Sequence, residues 1–182
     1  MAKKKADAAS IPGVRLDQLR LRDAQFVECA ITNRDGDPLT ADELYDCEFS
    51  YAIGHLHNLE DHIVGIELRL SLDGIDEEKK PVGVHGHFWL RFTFEVLNME
   101  ELLAASKTAE PSLPPPLYLV LLGIAYSTAR GLVMAKTAGT VLQGITLPIV
   151  DVRQLVEGST HEEKASEDIG KPSPDLHQPS SN

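Results

Sequence analysis

Basic residues are scarce in this chain: 17 Lys and Arg stand against 28 Asp and Glu among 182 residues, a formal net charge of −11. A surface that neutralises phosphates needs clustered Lys and Arg, so general nucleic-acid binding is excluded. The one basic run, Lys3-Lys4-Lys5, reads as a solvated start. No apolar segment follows it, since Ala6-Asp7-Ala8-Ala9-Ser10 is no signal-peptide core. Long hydrophobic runs are missing too. The longest, Leu117 to Tyr126, has ten residues counting Gly123, whereas a bilayer crossing takes about 20, so no membrane insertion is expected. Cysteine is rare. Cys29 and Cys47 could pair on geometry alone, but without a secretory signal they read as reduced thiols. The expected location is the cytoplasm.

Catalytic signatures are absent as well. There is no G-x-S-x-G, Walker A, G-x-G-x-x-G, HExxH or CxxC. Ser50, Ser127 and Cys47 have no base placed beside them in sequence, so neither enzyme activity nor a cofactor is expected. Asn33, Asp35 and Asp37 have the 1-3-5 spacing of a calcium loop. Its sixth position should be glycine and is Pro38, and its twelfth should be glutamate and is Leu44. This is a turn. Two histidine pairs remain, His55/His57 and His85/His87. On neighbouring strands they could offer zinc four imidazoles. The plainer reading is a polar sheet face or subunit interface using histidine as an amphipathic filler, and no metal site is expected.

What is present is periodicity. Tyr45, Cys47, Phe49, Tyr51 and Ile53 alternate with polar residues. So do Val64, Ile66, Leu68, Leu70 and Leu72, and then Val84, Phe88, Leu90, Phe92, Phe94 and Val96. Period-two alternation predicts strands with one buried face. A less regular strand is expected over about Leu19 to Ile31. Turn residues at 33–38, and Asp73-Gly74 opening a loop to Pro81, suggest a meander-like antiparallel sheet. Helices follow the strands, so the class is α+β. The folded domain is expected over 16–157, between a disordered start (1–15) and a disordered acidic tail (158–182).

Residues 114–156 read as a long helix, a Gly-Thr break, an extended apolar loop and a short helix. The helix begins just after Pro114-Pro115-Pro116 and stops before Gly139, a natural left-handed position. Asp151 caps the last helix, with Gln154 at capping-box spacing and Gly158 past its end. The long helix is apolar nearly all round in its first half. One face can cover the sheet; the other requires a loop, a client or another subunit.

Tyr126 and Arg130 as aromatic-x-x-x-Arg, then Gly139-Thr140, Leu147-Pro148 and the helix from Asp151 to Val156 resemble the C-terminal half of the SecB-like export chaperones. The resemblance extends more loosely over about residues 18–157. It implies a four-stranded antiparallel sheet with a long helix packed on it and a short C-terminal helix, assembled as a homotetramer. It also implies an ATP-independent holdase that keeps unfolded preproteins translocation-competent and hands them to SecA. Client contacts would fall at Trp89, Leu117, Tyr118, Leu121, Val141, Leu142 and Ile145, with Arg130 structural. SecA docking would use acids on the exposed sheet face: Asp23, Glu28 (one residue late against the family's pattern), Glu67 and Glu95. The alternative is a SecB-like partner devoted to a single client such as an antitoxin. A third class, a small-ligand or metal-dependent protein, would use the histidine face.

Overall fold

Alternation in the third and fourth strands builds the core. In β3 (Ile63–Ile75) and β4 (Pro81–Val96), Val64, Ile66, Leu68, Leu70, Leu72, Phe88, Leu90, Phe92 and Phe94 are all buried on one side. The computed structural model describes residues 13–34, 39, 43–105 and 113–159. The expectations for the tail beyond Ser159, for most of the N-terminal stretch and for the turn at 35–38 lie outside them. A single 3-10 turn (Leu16–Gln18) leads into β1 (Leu19–Thr32), and β2 (Asp46–Asn58) precedes β3. After β4 come α1 (Met99–Ala105), α2 (Pro115–Thr137) and α3 (Val152–Ser159). Helix α1 is not signalled by the sequence reading. The last helix continues through Gly158, which does not terminate it.

All strand pairs are antiparallel, in the order β1-β4-β3-β2. The expected meander therefore holds only for β2, β3 and β4. The first strand crosses over to lie beside the last, a Greek-key arrangement that strand periodicity cannot reveal. Asp73-Gly74 does not open a loop either. Gly74 lies inside β3, where a Cβ would meet the Leu44 Cδ1 at 2.7 Å, so the glycine marks close packing. The turn comes later: Asp76 Oδ1 accepts from the N–H groups of Glu78 and Lys80, with Lys79 at φ 62°.

Two register shifts interrupt β1, between Leu21 and Asp23 and between Phe26 and Glu28. Each inserts a residue and flips the facing that follows. As a result Ala24, Phe26, Cys29 and Ile31 all pair with core-side residues of β4, although their spacing is not strictly even.

Helix α2 lies over the core side. Leu117, Leu121, Leu122, Ala125, Tyr126, Ala129, Val133 and Thr137 are buried. By length and composition this helix would be able to cross a membrane, a property that counting consecutive apolar residues missed because Gly, Ser and Thr interrupt the run. Its C-terminus is as expected, with Gly139 at φ 77°. The following turn plants Leu142 on the sheet, where a Cβ on Gly86 would approach its Cδ1 to 2.8 Å.

Candidate functional site

A helix is about 10 Å across, and strands lie about 4.8 Å apart. One helix therefore spans two strands of a four-stranded sheet. Burial follows that geometry. The inner strands β3 and β4 are sealed on the helix side, whereas β1 has no buried residue and β2 has only Cys47. Ala24, Phe26, Cys29 and Ile31 on one flank, and Phe49, Tyr51 and Ile53 on the other, stay half-covered. Apolar strips thus run along both sides of α2.

The β2 flank is the more elaborate. Tyr118, Leu122, Tyr126 and Arg130 recur at helical spacing of four, on one stripe. At one end of the stripe the Tyr118 ring lies 5.1 Å from the His55 ring of β2. At the other end the Tyr126 hydroxyl donates to the Pro148 carbonyl (3.0 Å) and Arg130 Nε to the Leu147 carbonyl (2.9 Å). These bonds draw residues 146–150 back along the helix as a strap, and Val152 of α3 then passes the face of Gly123. The aromatic-x-x-x-Arg spacing is thereby explained, since two residues one turn apart reach successive carbonyls of one extended segment. Burial raises the Tyr126 hydroxyl pKa, and Tyr51 adds to the rise while the Arg130 charge opposes it. The hydroxyl stays protonated and able to donate. At α3, Asp151 Oδ1 accepts the Arg153 N–H, the expected cap.

The sequence-derived client residues divide into three groups. Leu117, Leu121 and Leu142 are fully buried and form a floor rather than a surface. Tyr118, Val141 and Ile145 are partly buried at the margins. Trp89 stands apart. It lies on the opposite side of the sheet, beneath the Arg69 guanidinium at 4.6 Å, with its indole Nε1 buried and without a hydrogen-bond partner among the described residues. The sheet separates it from the six others. The half-open residues of β2, Phe49, Tyr51 and Ile53, are the ones sequence reasoning passed over. Their strand was recognised, but that it would be an edge was not.

The outward face carries the four acids together. Asp23 pairs with Thr93, Glu28 with Trp89, Glu67 with Arg91, and Glu95 with Arg20. The bulge at Val27 absorbs the odd spacing and turns Glu28 to the same side as Asp23. Glu67 is held by Arg91 (2.6 Å), and Glu95 by Arg22 (2.6 Å) and Arg20 (3.6 Å). Asp23 and Glu28 are exposed and make no ion pair among the described residues.

The two histidine pairs do not converge. His55 and His57 register with Ile66 and Val64 on the helix side. His85 and His87 lie on the outward face, beside Asp73 (2.6 Å) and Ser71 (3.5 Å). With β3 between their strands and the sheet between their faces, a four-imidazole zinc site cannot form. Cys29 and Cys47 likewise sit on opposite edge strands. Three strand spacings, about 14 Å, is far beyond disulfide reach.

No protein-family model and no curated protein matches the sequence. Among solved structures, the chain is similar to the SecB-like chaperone Rv1957 of Mycobacterium tuberculosis in complex with a ChAD peptide from the Rv1956 HigA1 antitoxin. Identity is 12%, the match covers 74% of this chain and 91% of that one, and the TM-score is 0.52. A protein of unknown function from Streptococcus agalactiae also aligns, at 11% identity over 72% of this chain and 97% of that one, with a TM-score of 0.38. The fold, a four-stranded antiparallel sheet carrying a long and a short helix, is SecB-like.

Proposed function

We propose that this protein is an ATP-independent chaperone that holds unfolded polypeptide along the flanks of α2 and keeps it from aggregating. The observation that carries the reading is the half-covered apolar strip on each edge strand, open beside α2 on β1 and only partly overlain by α3 on β2. A single helix cannot seal four strands, and extended apolar segments fit the long, shallow space that results. The SecB-like fold, in a neighbour whose structure contains a polypeptide, supports it. On this reading Phe49, Tyr51, Ile53, Tyr118, Val141 and Ile145 touch the client, and Leu117, Leu121 and Leu142 support them from beneath. Trp89 belongs to the other face. The protein acts in the cytoplasm as a homo-oligomer, with a tetramer our working assembly, and Asp23 and Glu28 are the acids left free to dock a motor such as SecA.

The test is a titration of a fluorescent, reduced and alkylated unfolded protein against the same protein in its native form. Binding of the unfolded form alone is expected. Equal binding of both forms, or of neither, contradicts the proposal.

A second reading, a chaperone dedicated to one client, is favoured by the antitoxin peptide in the Mycobacterium tuberculosis structure. It predicts one tight cognate partner and weak binding to unrelated unfolded proteins. Several unrelated clients bound with similar affinity would exclude it.

A further inference from the structure

Residues 146–150, Thr-Leu-Pro-Ile-Val, form neither helix nor strand. Among the described residues none of their main-chain N–H groups donates a hydrogen bond. Two of their carbonyls accept, and both accept from side chains of α2. One residue, Leu147, is buried, while Thr146, Pro148 and Ile149 face solvent and Ile149 is 85% exposed. The segment is therefore held through its backbone and two aliphatic contacts, the buried Leu147 and the half-buried Val150 packed against the core, with little regard to Thr146, Pro148 and Ile149. That is how a promiscuous site would hold a stranger. Its ends are fixed independently of its middle: Gly144 at φ 90° closes the preceding turn, and Asp151 caps α3.

Building on the chaperone reading, we propose that residues 146–150 are an internal stand-in for the client. An extended, uncharged aliphatic segment of an unfolded protein displaces them and takes over the carbonyl bonds to Tyr126 and Arg130 and the place of Leu147. The strap is then both a plug, filling the buried place of Leu147 in the empty protein, and a record of the client chemistry. A docked plug lowers apparent affinity by the fraction of molecules in which it is lifted, so weakening it tightens binding.

The test uses the full chain and a fluorescein-labelled peptide of residues 145–152, ITLPIVDV. Leu147→Ala, which loosens the plug, should bind this peptide at least about tenfold more tightly than the parent protein does. Unlabelled peptide should also displace a reduced, alkylated unfolded protein from that variant. Equal peptide affinity in the two proteins overturns the proposal, as does peptide binding that leaves the unfolded protein in place. Should Leu147→Ala fail to fold, a spin label at Ile149→Cys in a Cys29→Ser background reports on the strap directly. Saturating peptide must mobilise that label, and an unchanged spectrum overturns the proposal. Failure of every variant to bind unfolded protein would remove the chaperone reading, while peptide binding would still decide whether the groove accepts strap-like segments.

Discussion

Tyr126 and Arg130 are where single side chains decide the architecture. A neutral hydrogen bond contributes about 0.5–1.5 kcal/mol net, and one from a charged donor about 1.5–3. Tyr126→Phe should therefore lower Tm by about 2–4 °C, the shift that about 1 kcal/mol produces in a domain of this size. A melting temperature unchanged by that substitution would mean that the bond to Pro148 adds nothing. Asn98 presents the opposite case. It is 7% exposed at the start of α1, and among the described residues neither amide atom has a partner. Relieving an unsatisfied buried amide is favourable, so Asn98→Leu should raise Tm, and a clear fall would show that the amide is needed. Cys47 is chemically quiet. Burial pushes its thiol pKa up to about 11, and Asp46 and Asp73 add to the rise. In the unfolded chain the thiol ionises near 9.0, so between those values the unfolded state holds fewer protons and stability falls as pH rises. At pH 8 a thiol reagent should find Cys29 in the native protein and reach Cys47 only after denaturation. Rapid reaction of two thiols would contradict this burial.

At the scale of elements, the organising fact is the mismatch between one helix and four strands. Much of it was legible. Period-two alternation located β2, β3 and β4, a less regular apolar pattern located β1, the proline triplet and Gly139 bounded α2, and Asp151 marked the start of α3. What was not legible depends on neighbours distant in sequence. Nothing local to Leu19–Thr32 says that it lies beside β4 rather than β2, and hence that both β1 and β2 are edges. The bulges at Arg22 and Val27 are equally silent in a single sequence, yet they decide that Glu28 shares a face with Asp23. Gly74 was misread because glycine signals both turns and close packing, and only the Leu44 side chain above it distinguishes the two. The histidine pairs looked convergent because i, i+2 spacing fixes a face within a strand but not which face of the sheet it becomes. Gly86 offers a test at this scale. A Cβ there would lie 2.8 Å from the Leu142 Cδ1 and 2.9 Å from the Phe88 Cε2. Gly86→Val should therefore lift the Thr140–Gly144 turn off the sheet and destabilise the fold by about 1–3 kcal/mol, read as a lowered denaturation midpoint. An unchanged midpoint would show that the turn yields without cost.

For the whole molecule, the apolar surface outside the core calls for occupants. Ile124 is only half-covered on α2, and Leu121 beneath it is fully buried. Leu121→Asp buries an unpaired charge and should abolish folding. Ile124→Asp should leave the protomer folded and yield smaller species in light scattering, because on the proposed reading this part of the helix meets another subunit. An assembly of unchanged mass would count against that interface. The outward sheet face, with Glu67 and Glu95 already neutralised by arginines, leaves Asp23 and Glu28 to carry any acidic docking. The central claim is that this fold holds unfolded chains without covalent chemistry. It is tested most directly by light scattering from a chemically unfolded protein diluted into increasing amounts of this one, with no ATP present. Suppression that saturates near a stoichiometric ratio of subunit assembly to client is the predicted result. Undiminished aggregation of several unrelated proteins at large molar excess would contradict it.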